Sequence, residues 1–133
     1  MLFNLSELAL EESAQVQLKH PATGELLFAD KEKTQIVGIE IEGEASASYR
    51  AAIDARSRKY LALKGKSMTP EDIRQNDVDL FAALSIRGIN FSYNGKELAT
   101  EEDFRELYQD PKYLWVNKQI DAAIGDISNF LKQ

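Results

Sequence analysis

Apolar and polar residues alternate over the first third of the chain and then recur at helical steps. From Ala14 to His20 the run "AQVQLKH" puts Val16 and Leu18 on one side, with Gln15, Gln17 and Lys19 on the other. That is the period of a half-buried strand. "PATGE" follows as a turn, because Pro21 fixes its own φ and Gly24 is free to take a positive φ. The chain returns through "ELLF", which predicts a hairpin. A second alternation, "IVGIEIEGE", sets Val37, Ile39 and Ile41 against Gly38, Glu40 and Glu42. It predicts a third strand and a small antiparallel sheet with one wet face.

After Gly43 the period lengthens. Tyr49, Ala52, Ile53, Arg56, Tyr60 and Leu63 share helical spacing in "SASYRAAIDARSRKYLAL", with Ser46 or Ser48 placed to cap the helix. A second helix begins with Thr69 as N-cap, Pro70 at the first helical position and Glu71 and Asp72 in the first turn. Ile73, Leu80, Phe81 and Leu84 are its expected core face, and Gly88 its stop. "INFSYNGKELA" carries a hairpin signal, Asn94-Gly95, with a very short arm after it. Thr100 caps a brief helix that Asp110-Pro111 ends. From there Tyr113, Val116, Ile120, Ala123, Ile124, Ile127 and Leu131 recur at three- and four-residue steps. They predict a long amphipathic C-terminal helix, with Asp110 as cap and Gly125 weakening it by about 1 kcal/mol relative to Ala while permitting close packing. The expected fold is α+β: a small antiparallel N-terminal sheet, a hairpin plus a third strand, packed with three to four helices.

Length adds that this is one domain, 1–133, with a single core. Sixteen basic against twenty-two acidic residues give a net charge of -6, which repels phosphate backbones unless the basic residues gather on one face. They are interspersed in "TEEDFRELYQDPK", and their densest run, "RSRKYLALKGK", spreads around a helix. That run reads as a solvated helix end, where basic residues suit the dipole, so no nucleic-acid partner is expected. The chain has no cysteine, which removes disulfides and thiolate chemistry. "MLFNLSELALEES" lacks the basic start and continuous apolar centre of a secretory signal, and no segment is apolar enough for a bilayer. A soluble, intracellular protein is expected.

Candidate chemistry is sparse. His20, the single histidine, has no second His or Cys with which to build a zinc or base site, and reads as a turn residue. Ser46, Ser48, Ser57 and Ser85 lack a nucleophile elbow, and "KGKS" lacks the upstream Gly and preceding strand of a phosphate loop. Paired acids such as Glu11-Glu12 and Glu101-Glu102 suit helix starts and wet faces. No enzyme, metal or cofactor is expected. Trp115 falls off the face drawn by Tyr113, Val116, Ile120 and Ile127. Two readings stand for it: an exposed contact residue, or the second buried side of its helix.

Taken in order, these segments resemble the tail assembly chaperones of long-tailed bacteriophages and their prophages. The resemblance rests on "LKHPATGELL", a strand, turn and return; on "IEIEGEASASYRAAIDARSRK", a strand and an alanine- and arginine-rich helix; and on the order of elements in "IRGINFSYNGKELATEEDFRELYQDPKYLWVNKQIDAAIGDISNFLKQ". It implies a non-catalytic chaperone that binds the largely helical tape measure protein in the cytoplasm of the bacterial host and is absent from the mature virion. It also implies a longer, frameshifted product that recruits the tail tube protein. Phe130-Leu131-Lys132 permits a coding with a slippery heptamer. The partner-binding candidates are Tyr113, Trp115, Ile120 and Phe130, with the core as the competing place for Tyr113 and Ile120; self-association is a further expectation. The alternative function is a structural virion component, such as a head-tail connector or tail completion protein. An acidic DNA mimic is a third reading, against which the interspersed charges argue.

Overall fold

A computed structural model describes residues 1–131 and has the α+β architecture that the pattern predicts. Strands β1 (Ser13–Gln17), β2 (Gly38–Glu42) and β3 (Ser85–Ile89) form an antiparallel sheet in that order. Four helices accompany it: α1 (Ala47–Ala62), α2 (Pro70–Leu84), α3 (Glu101–Gln109) and α4 (Leu114–Ile124). Short 3-10 turns lie at Leu5–Leu8, Pro111–Tyr113 and Ile127–Phe130.

The alternation in β2 has its expected consequence. Ile39 and Ile41 are fully buried, opposite Val16 and Ala14 of β1. Glu40 and Glu42 stay on the wetter side, where Glu40 pairs with Arg87 of β3 at 3.5 Å. The β2–β3 register shifts between Glu40 and Ile41, whose partners are Arg87 and Ser85, so Ile86 is the extra residue of a bulge. Gly38 lies so close to β1 that a Cβ there would come 2.4 Å from the Val16 carbonyl oxygen.

The "HPATG" turn forms, with Gly24 at φ +75 and its N–H donating to the His20 carbonyl at 2.9 Å. His20 Nδ1 accepts from the Ala22 and Thr23 N–H groups at 3.1 and 3.3 Å, so the imidazole closes the turn. The return arm, however, does not enter the sheet; it makes two isolated bridges, Leu26 to Lys19 and Phe28 to Ile36. Its backbone is divided instead: Leu27 donates to Leu18 at 2.9 Å and accepts from Val37 at 3.0 Å. β1 therefore pairs directly with β2, and the sheet's remaining strand comes from "SIRGI", a run expected to finish the second helix. Ser85 takes an extended conformation at the end of α2, and Gly88, the expected helix stop, is inside β3.

Both well-marked helix starts carry reciprocal capping boxes, Thr69 with Asp72 and Thr100 with Asp103. Ser46, the first of the two candidate caps, accepts from Tyr49 N–H. The core gathers β2, α2, α3 and α4 around Phe81, Leu84, Phe104, Tyr108 and Ile120. α1 contributes no fully buried residue, and Arg56 and Tyr60 of its expected core face are exposed, as is Ile73 of α2. Tyr60 and Ile73 line the open end of the α1–α2 pair, and Arg56 also borders a hollow shared with Glu101 and Arg105 of α3.

The long C-terminal helix is replaced by a shorter α4 with a 3-10 turn on either side. Gly125 is the C-cap of α4, and Asp126 accepts from Ser128 N–H to start a new turn. That break redirects the chain: Phe130 swings into the core beside Gly43, and Leu131 bridges Leu10. Ile127, expected on the core face, is exposed as a result. Lys132, part of the proposed slippery sequence, lies outside the described residues.

Candidate protein-binding surfaces

The Asn94-Gly95 pair forms a tight turn with both residues at positive φ, 50 and 80. Tyr93 and Lys96 exchange backbone hydrogen bonds of 2.9 and 3.2 Å across it. This primed turn fixes Tyr93 beside the start of α4. The Tyr93 hydroxyl donates to Asp110 Oδ2 at 2.8 Å, and its ring lies 5.6 Å from that of Tyr113. The hydrogen bond from the Lys112 backbone N–H, then that from Tyr93, holds the Asp110 carboxyl below the usual range; the same Asp110 bond pushes the Tyr93 phenol up. Asp110 thus joins the turn, the 3-10 segment and the entry to α4.

Beside this pair opens a hollow of about 220 Å³, lined by Leu18, Leu27, Phe91, Tyr93, Tyr113 and Trp115, among others. Trp115 is half-buried and packs against the core, with part of its ring on the hollow. Tyr113 remains 38% exposed at the rim. Ile120 and Phe130 are not with them: Ile120 is fully buried and Phe130 nearly so. A buried side chain has no surface to offer a partner, so of the four candidates the hollow brings together only Tyr113 and Trp115. The core was the competing place for Ile120; for Tyr113 the structure gives a rim. Phe91 and Tyr93 escaped sequence reasoning, although Asn94-Gly95 was the signal that placed Tyr93.

A second apolar surface lies at the far end of α1 and α2. A groove of about 560 Å³ is lined by Ile53, Tyr60, Leu61, Met68 and Ile73, with Arg56 and Asp77 at its edge. Burial raises the Asp77 carboxyl above its ordinary range, against the pull of Arg56. Leu61 is 74% exposed there. "KGKS" is the loop connecting the two helices, and Lys64 and Gly65 have positive φ. Behind the groove, Asp79 ties three helices: Lys59 of α1 at 2.9 Å, Gln75 of α2 at 3.0 Å and Arg105 of α3 at 3.2 Å. Burial raises the Asp79 carboxyl, but these donors outweigh it and leave the group below its ordinary range.

Among the described residues no group of three acidic or histidine side chains is placed to hold a metal ion. No described helix is long and apolar enough to cross a membrane. The chain matches no protein-family model, no curated protein and no solved structure.

Proposed function

We propose that the chain is a phage or prophage tail assembly chaperone, which covers apolar helical segments of the tape measure protein before tail tube subunits polymerise around it. The observation that carries the reading is the aromatic-rimmed hollow at Tyr93, Tyr113 and Trp115. An apolar helix exposed to water needs reversible cover, and a hollow of this size accepts one or two large side chains from its face. Aromatic rings with a polar tip suit such a contact, because they pair apolar area with a hydrogen-bonding edge. The acidic remainder of the chain keeps a loaded complex in solution. The order of segments likened above to tail assembly chaperones supports the same role, and a frameshifted long form would add the tail tube protein as a second partner.

The test is co-expression of this chain with the tape measure protein of its own gene cluster, followed by affinity capture. Specific capture is the expected result. Trp115→Ala, checked for an unchanged circular dichroism spectrum and unfolding midpoint, should weaken capture by about tenfold or more. Absence of capture by the folded parent chain would overturn the reading, as would finding the protein as a stoichiometric part of mature particles.

A further inference from the structure

The two edges of the sheet are finished differently. Along β3 the Gly88 N–H donates to the Leu98 carbonyl at 2.9 Å and Arg87 adds a charge, so part of that edge is paired and the rest is blunted. Along β1 the bonds alternate. Leu18 N–H donates to the Val37 carbonyl at 2.8 Å and the Glu12 carbonyl accepts from Gly43 N–H at 2.9 Å, which turns the backbone groups of Ala14 and Val16 towards β2 as well. Those of Ser13, Gln15 and Gln17 point the other way, and among the described residues no hydrogen bond falls on them. The edge is closed only at its ends. At one end the Gln119 side chain accepts from Lys19 N–H at 2.8 Å and donates to the Lys19 carbonyl at 2.9 Å, as a strand would; at the other the Phe130 carbonyl accepts from Glu11 N–H at 2.6 Å. Between them lies β1 itself, "SAQVQ", without the proline or charge that usually blunts an open edge.

The open edge faces a groove. Two hollows, of about 290 and 670 Å³, run along it, and their far wall is the flank of α4 and the turn after it, with Gln119, Ala122, Asp126 and Asn129. The two sides of the groove differ in chemistry. On one, the half-buried Ala14 and Val16 stand against Ala122 and Ala123. On the other, Ser13 and Gln15 point to the wet face beside Glu42 and Glu40. Glu40 is engaged by Arg87, whereas none of the ion pairs among the described residues includes Glu42 or Glu11. Glu11 and Glu42 thus leave the Ser13 end acidic, and the base of the lining, Lys19, is at the opposite end.

We propose that the groove between β1 and α4 receives an extended segment of a partner protein, with alternate apolar and basic residues, as a fourth strand of the sheet. The hydrogen-bonding groups select an extended chain, because donors and acceptors that recur at every second residue are matched only by another strand. The side chains select its pattern: apolar residues meet Ala14, Val16 and Ala122, and basic residues reach Glu11 and Glu42 across the small Ser13. The arm of the same chain is excluded by its root. Leu10 is bridged to Leu131, Glu11 is bonded to Phe130 and Glu12 to Gly43, so the residues that would have to turn the arm back along β1 are held extended. The β1 strand of a second copy is excluded by its own wall, since its edge carries the same α4 flank and the two walls would need one space. The inference does not rest on the tape measure reading, which concerns a different hollow.

NMR of the isotope-labelled full chain, titrated with the acetylated and amidated peptide Lys-Val-Lys-Val-Lys-Val-Lys, tests it. Saturable shifts at Ser13, Gln15, Gln17 and Ala122 are expected. At saturation, amide exchange at Ser13, Gln15 and Gln17 should slow at least about tenfold, while that of Ala14 and Val16, already bonded to β2, changes little. The same peptide with Asp in place of Lys should bind at least about tenfold more weakly. Gln15→Pro removes an outward N–H without touching a bond to β2, a place in a sheet where proline is tolerated. Ala122→Arg, at an exposed helix position, fills the groove and repels the basic peptide. Each should weaken binding at least about tenfold, and Ala122→Arg, shown folded by circular dichroism, decides the matter if proline disturbs β1. No saturable binding of the Lys-Val peptide overturns the proposal, and so do shifts confined to other residues, equal affinity for the two peptides, or undiminished binding by folded Ala122→Arg. Slow exchange at Ser13, Gln15 and Gln17 in the free chain would also overturn it, with sedimentation velocity telling a second copy on the edge from a segment of the same chain. Capture of the tape measure protein is read in a separate assay, so each proposal stands or falls by its own result.

Discussion

Ser85 and Tyr108 show how a buried polar pair can cost little or much depending on which member is removed. The Ser85 hydroxyl donates to the Phe81 carbonyl at 2.7 Å, and its oxygen is 2.6 Å from the Tyr108 hydroxyl. With its one proton committed to Phe81, Ser85 can only accept, so Tyr108 is the donor. Burial pushes the Tyr108 phenol far above its ordinary range, which keeps that proton in place at any ordinary pH. Tyr108→Phe removes a donor and leaves Ser85 satisfied through Phe81; the expected loss is about 1 kcal/mol. Ser85→Ala leaves the Tyr108 hydroxyl buried without a partner and also removes the Phe81 contact; the expected loss is about 2–3 kcal/mol. Urea unfolding of both variants checks the order, and a larger loss in Tyr108→Phe would show that the proton runs the other way. Phe130 is the other residue whose place matters here: truncation to Ala should cost about 3–5 kcal/mol, as expected of a core aromatic.

Among the elements, the end of α4 offers the sharpest test. Gly125 has helical angles, φ -77 and ψ -8, and a Cβ there would touch only the Asp121 and Ala122 carbonyl oxygens at 3.7 and 3.8 Å. Those are ordinary contacts, so Gly125→Ala should stabilise by about 0.4–1 kcal/mol through the unfolded chain and raise the thermal midpoint. A fall in the midpoint would mean that the break after α4 needs glycine itself. The same element shows what could be read from sequence. Thr69-Pro70, Thr100 and Asn94-Gly95 act through groups two or three residues away, and each formed the cap or turn its spacing predicted. "SIRGI" was not legible, because Leu80, Phe81 and Leu84 continue a helical period into it and only the open edge of β2 makes it a strand. The long C-terminal helix failed for a related reason. Ile127 and Leu131 fit the helical spacing, but Asp126 captures Ser128 N–H and Phe130 has a deeper place beside Gly43. On the side of function, Trp115 and Tyr113 could be picked out as large apolar residues near the start of a helix. The hollow they rim could not, since Leu18, Leu27 and Phe91 arrive from three separate loops and strand ends.

At the scale of the whole molecule, carboxylates hold the elements to one another, and this fixes the response to acid. Lys96 at 2.8 Å, then the N–H groups of Ala99 and Thr100, hold the Asp103 carboxyl far below its ordinary range. Asp79, Asp110 and Asp126 are lowered as well, Asp126 chiefly by the Ser128 hydroxyl. A group whose pKa is lower in the folded chain stabilises that chain fully above its unfolded pKa, about 4 for these acids, and loses the effect as pH falls through the folded value. Asp77 works the other way: burial raises its pKa, so its protonation relieves a cost as pH falls through that raised value. One such group stands against five, since the Thr34 hydroxyl and the Gln35 N–H lower Asp30 too, and Asp103 is the most displaced, so the net expectation is a loss of stability on acidification from about pH 5 to about pH 2.5. Exposed pairs contribute less than their geometry suggests because water screens them, which makes the slope modest. Urea midpoints across that interval measure it, and a midpoint that is flat or rises towards acid would remove the carboxylate account. Asp103→Asn gives the finer test. Asparagine keeps an oxygen for the Ala99 and Thr100 N–H groups but loses the charge that faces Lys96. The variant should be less stable than the parent at neutral pH and approach it at low pH, where the parent's carboxyl is itself being neutralised. Two curves that stay parallel would instead mean that Asp103 acts as a hydrogen-bonding cap and that its charge contributes nothing to holding the turn at Lys96 against α3.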